Sequence, residues 1–263
     1  MRRLVHGELL KLVTIRLTHG LLATAAVLTV LFATLEASRA GSAGTGVAPI
    51  STASGLATVT TVTGFAMLFA AVLGAILASG EFRHASATLT YQATPRRGRV
   101  LVAKVIVSAA AGALFGLVAG VTATGVGLAF ASSDSAHIAL GAGTLLGHIG
   151  GAICGAAALA ALGAALGSLV RSQLATVIGI FVWGIVIESV IGGLFTSVRP
   201  YLPYTAATTL AGVKLGNAAF GPAHGEAGAA GSLPFIAALA LLAALALTVS
   251  VLAARTTVER DIA

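Results

Sequence analysis

The sequence predicts an all-α membrane protein, a bundle of six transmembrane helices. Three observations carry that expectation. Of 263 residues, 57% are hydrophobic and only 9% charged, against roughly a quarter charged in soluble domains. The apolar residues gather into six runs, each with the ~20 residues a helix needs to cross ~30 Å of hydrocarbon. None of these runs alternates in polarity as the strands of a membrane barrel do.

The chain reads as one transmembrane domain, 1–263. Residues 1–16 open it as an amphipathic helix, with Val5, Leu9, Leu12 and Val13 on one face and Glu8, Lys11 and Thr14 opposite. Such a helix suits the membrane interface, and a plain basic flank of the first span is the other reading. Arg2, Arg3, the apolar stretch Leu21 to Leu31 and Ala37-Ser38-Arg39-Ala40 imitate a secretory signal. Against that, the basic region is long and contains Glu8, so an uncleaved first span is expected.

The spans fall at about 18–37, 56–79, 101–131, 141–169, 174–195 and 233–254. The third and fourth exceed the hydrocarbon thickness and are expected to tilt or project. Twelve of the fifteen basic residues lie on one side, including Arg2, Arg3, Lys11, Arg16, Arg83, Lys104, Arg171 and Arg255. By the positive-inside rule both termini then face the cytoplasm of a multi-pass cell-membrane protein. The net charge of +7 is thereby a topology signal, and no basic domain exists outside the membrane to bind nucleic acid. The other side carries connections at about 38–55 and 132–140, and a long one at 196–232 with possible re-entrant helices. In that loop Tyr201, Leu202 and Tyr204 suit an interface.

Between spans two and three sits the one concentration of polar chemistry, GEFRHASATLTYQATPRRGR from Gly80 to Arg99. As a helix over 81–94 it places Phe82, Ala85, Leu89 and Ala93 on one face and ends at Pro95. A surface helix in an ordinary basic loop and a docking element for a cytoplasmic partner are the two readings.

Small residues recur every fourth position in span three (Gly112, Gly116, Gly120) and span four (Gly147, Gly151, Gly155). Such ridges let helix backbones approach closely and are read as packing seams. Glu188 is the one acidic residue well inside a span. A carboxylate cannot face lipid cheaply; it lines a pathway, pairs with Arg199, or stays protonated, in a structural or a gating role. Trp183 reads as packing, and His148 as a histidine satisfied by hydrogen bonds. No His/Cys/Asp/Glu set has metal-ligand spacing, the single Cys154 excludes a disulfide, and Ser189 beside Glu188 lacks a histidine for catalysis. A non-catalytic chain without cofactors is expected.

Glu81-Phe82-Arg83-His84, then Thr88-Leu89 and Ala93-Thr94-Pro95-Arg96-Arg97-Gly98-Arg99 through Lys104, resemble the first cytoplasmic loop of ABC-2-type permeases. His84-Ala85-Ser86 departs from the Gly-Thr pair that often follows the Arg. The resemblance implies ABC-2-type architecture, with a coupling helix that seats in a cleft of a separate ATPase subunit, two copies of which dock below. It makes Glu81, Phe82, Arg83, Leu89, Arg96 and Arg97 the coupling residues. It also implies a second permease copy, as homodimer or related heterodimer, and a pathway from spans one, two and five. Thr61, Phe65 and Glu188 are then the pathway or gate candidates, with Thr58, Thr60 and Thr63 as further polar spots. No G-x-x-x-x-G-K-[ST] loop is present, so ATP and Mg2+ belong to the partner. The function implied is export of an amphipathic, drug-like or lipidic substrate. An ion-coupled secondary transporter and a non-transporting membrane assembly protein are the alternatives.

Overall fold

The computed structural model describes residues 1–42, 48–83, 97–133, 141–212 and 232–258. These are helical, with no strand among the described residues. Six helices among them are long and apolar enough to cross a membrane, which makes the chain a multi-pass, all-α membrane-type protein. In order they are α1 (Arg2–Thr14), α2 (Arg16–Arg39), α3 (Ala53–Thr60), α4 (Thr63–Arg83), α5 (Arg97–Ser133), α6 (Ala142–Val170), α7 (Gln173–Phe181), a π-helical turn (Val182–Ile187), α8 (Glu188–Leu194), a 3-10 turn (Arg199–Tyr201), α9 (Pro203–Leu210) and α10 (Phe235–Ala253).

The expected second span is two helices with a break at Thr61–Val62. The break is written in threonines. Thr60, Thr61 and Thr63 turn their hydroxyls back onto the carbonyls of Ala57, Thr58 and Thr60. The backbone tightens in step, with Thr61, Gly64 and Phe65 donating to carbonyls three residues back. Hydroxyls that satisfy local carbonyls offer the chain an alternative to the regular ladder. These threonines therefore spend their polarity on their own backbone and are not free polar spots in a wall.

α4 is the axle of the bundle. The stretch Ser54–Gly80, which it shares with α3, is by far the most buried of the six candidate spans, while α2 and α10 are mostly exposed. α5 and α6 pack against it and against each other. The seams are made of small residues. A Cβ at Gly112 or Gly116 would run into the carbonyls of Ala156 and Ala152, and Gly120 lies against Ile149. Gly163 and Gly167 admit the backbone of α4 at Ala71 and Ala75. Gly147 differs from expectation: it is exposed, with open space where a Cβ would point. The ridge continues in sequence beyond the point where a neighbour remains to be packed.

α1 packs on the protein through a side that its helical wheel alone does not mark. It buries Glu8 and Leu12, while Leu9, Leu10 and Val13 are exposed. Glu8 turns inward because a buried cation waits there: Lys104 of α5 donates to Glu8 Oε2 at 3.3 Å and to the Leu77 carbonyl at 3.4 Å. Lys11 donates to Glu8 Oε1 at 2.7 Å. Periodicity alone puts a carboxylate outside; a partner 96 residues later in the chain overrides it. Residues 81–83 continue α4 as its last turn, so no separate helix begins at 81.

Candidate functional site

α9 begins with Pro203, whose missing N–H is no loss in a first turn and whose fixed φ suits a helix start. The amides of Tyr204 and Thr205 still lack intrahelical acceptors there, and the preceding residue, Leu202, has no side chain to cap them. Glu188 supplies the cap from the fifth span. Its Oε1 accepts from Tyr204 N at 2.8 Å and its Oε2 from Thr205 N at 2.9 Å and Thr205 Oγ1 at 3.0 Å. Trp183 Nε1 donates to Oε1 at 2.9 Å. Three of the four donors are N–H groups, which give and cannot accept, so the arrangement serves a carboxylate. A negative charge at a helix N-terminus is favourable in itself.

The π-helical turn makes the Trp183 bond possible. Five residues apart in an α-helix, two side chains point about 140° away from each other. A turn closed by i→i+5 bonds is wider and brings them toward the same side of the helix, and Glu188 N donates to Trp183 O at this point. Gly184 within the turn admits Leu68 of α4.

The other end of α9 is held from the fourth span. His148 Nδ1 lies 2.6 Å from the Ala211 carbonyl and 3.5 Å from Thr60 Oγ1. A carbonyl only accepts, so Nδ1 carries the proton. Gly212, at φ 80°, follows the helix in the left-handed conformation that glycine takes without strain; a Cβ there would also strike the imidazole. Gly151 and Gly155 let the α9 backbone press onto α6 at Leu210 and Ala207. This short helix is thus clamped at both ends by side chains from two different spans.

Beside the clamp runs a groove of ≈ 400 Å³, bounded by α4, α6, the fifth span and α10. Its walls are apolar, with Leu162, Leu166 and Ile180 along its length. Glu188, Trp183 and Tyr204 stand at its α9 end.

The chain matches no protein-family model, and no curated protein matches it at a significant level.

The sequence-derived candidates divide. Glu188 sits at the groove, but Arg199 makes no ion pair with it, the carboxylate's partners being the four above. Thr61 is buried and bonded to its own helix, and Phe65 stacks on Phe32 of α2 with ring centroids 4.7 Å apart. Neither lines the groove, so the three pathway candidates do not form one site. Glu81, Phe82 and Arg83 end α4 and Arg97 begins α5. Leu89, Arg96 and the rest of the expected coupling helix lie outside the described residues. Of the loop aromatics, Tyr201 is exposed as an interface residue would be, whereas Leu202 and Tyr204 are buried. Ser189 Oγ donates to the Ile185 carbonyl. No group of three His, Cys, Asp or Glu able to hold a metal occurs among the described residues.

Two features escaped sequence reasoning. The Glu8–Lys104 pair had no local signal. The α9 cap had one: a Leu-Pro-Tyr-Thr helix start without its own cap, beside a span carrying one unexplained acid.

Proposed function

We propose that this chain is the permease subunit of an ATP-driven transporter of the ABC-2 type, exporting an amphipathic or lipidic compound and powered by two copies of a separate ATPase. A second permease copy completes the pathway, and both termini and the 84–96 stretch face the cytoplasm. The observation that carries the reading is where the polar stretch is attached. It joins α4, the most buried helix, to α5, the longest, and the Glu8–Lys104 bond ties α1 to the same end. A push on that stretch is therefore delivered to the axle of the bundle. The apolar groove supports an amphipathic cargo.

The test is co-expression with any phosphate-loop ATPase that a neighbouring gene encodes. Co-purification of that ATPase, and ATP-dependent export lost on Phe82→Asp or Leu89→Asp with membrane insertion intact, is the expected result. Unchanged transport in both variants, or no associated ATPase, refutes the reading.

A further inference from the structure

The groove has a chemistry that its apolar walls alone do not explain. One end carries the Glu188 carboxylate, 3% exposed, whose partners are an indole N–H, two amides and a hydroxyl. Among the described residues no Lys, Arg or His pairs with it. The N-terminus of α9 offsets only about half a charge, and the low dielectric inside a membrane protein magnifies what is left. Trp183, 43% exposed, lines the same end, and indole faces attract cations more strongly than other aromatic faces. From Thr176 to Glu188 the fifth span offers about 18 Å of groove at 1.5 Å per residue.

We infer that this groove binds an amphipathic cation, its apolar body lying along Leu162, Leu166 and Ile180 and its ammonium group at Glu188 and Trp183. Apolar walls alone would accept any acyl chain; the unbalanced carboxylate selects for a positive head. As a substrate site this rests on the transport reading above, while binding itself needs no ATPase.

The chain's single tryptophan is a built-in reporter. The purified protein, in nanodiscs of zwitterionic phosphatidylcholine, is titrated with diphenylhexatriene bearing a trimethylammonium head, with the uncharged parent, and with the propionate form. Energy transfer from Trp183 should saturate at a roughly tenfold lower concentration for the cation than for the parent, with the anion weakest. Gly179 lines the groove with open space beyond it, so Gly179→Leu should abolish the saturable phase for all three probes. Glu188→Gln should erase the preference of cation over parent. Should Glu188→Gln fail to fold, the head-charge series and Gly179→Leu decide. Equal saturation by all three heads, which marks an unselective acyl-chain site, overturns the inference. So does a saturable phase untouched by Gly179→Leu, or none at all. Loss of ATPase co-purification with cation binding intact would sink the transport reading alone; the reverse would sink this site alone.

Discussion

Two carboxylates, Glu8 and Glu188, are buried, and each is satisfied by a different device. Glu188 is met by neutral donors and a helix terminus; Glu8 is met by two lysines. The distinction predicts different responses to mutation. Removing one member of a buried pair strands the other, which costs about 3–5 kcal/mol, whereas replacing both by apolar groups is often neutral or stabilising. Lys104 is 4% exposed at its side chain and Glu8 9%, so the pair belongs to this class. Glu8→Leu alone, which takes the carboxylate from the buried Lys104, should lower the thermal midpoint sharply, and adding Lys104→Met should recover most of the loss. Unfolding can be followed in detergent by a thiol-reactive dye at Cys154, the chain's one cysteine. Additive losses in the double variant would show that the two residues act independently.

At the scale of elements, what was legible is what depends on local pattern. Six helices long and apolar enough to cross a membrane stand where the apolar runs lie, because length and hydrophobicity are local properties of the sequence. α9 was legible only as a possible re-entrant piece, since its stability comes from Glu188, His148, Gly151 and Gly155 on other helices. The break in the second span was hidden for a related reason: threonine hydroxyls look like wall polarity until their acceptors are known. The glycine ridge shows how pattern and contact part company. Gly147, Gly151 and Gly155 are equivalent in spacing, yet only Gly151 and Gly155 meet a backbone. Gly151→Ala should therefore destabilise by about 1–3 kcal/mol through overpacking against Leu210, visible as a lower thermal midpoint. Gly147→Ala should be neutral or stabilise by up to about 1 kcal/mol through helix propensity. Equal effects at the two positions would mean that α9 does not sit on α6 as described.

The whole molecule has two chemically distinct ends. α4 sets Gly64, in its first turn, against Tyr204 of α9 and passes Leu77, whose carbonyl meets Lys104. The α9 clamp and the Glu8–Lys104 pair therefore mark opposite ends of one buried helix. α5, with 37 residues, runs about 55 Å, well past the ~30 Å of hydrocarbon, a length that a bilayer accommodates by tilt or projection. Most of the basic residues belong to the Lys104 end by sequence, and the transport reading proposed above needs that end in the cytoplasm, as the positive-inside rule expects. In a Cys154→Ala background, cysteines at Ser42 and Tyr201, both exposed, should react with an impermeant maleimide added to intact cells. A cysteine at Gln92 should react only in inside-out vesicles. Labelling of Gln92→Cys in intact cells would invert the molecule, turning the α9 clamp to the cytoplasm. The stretch proposed to meet an ATPase would then lie where no ATP is found, and the transport reading would fail with the topology.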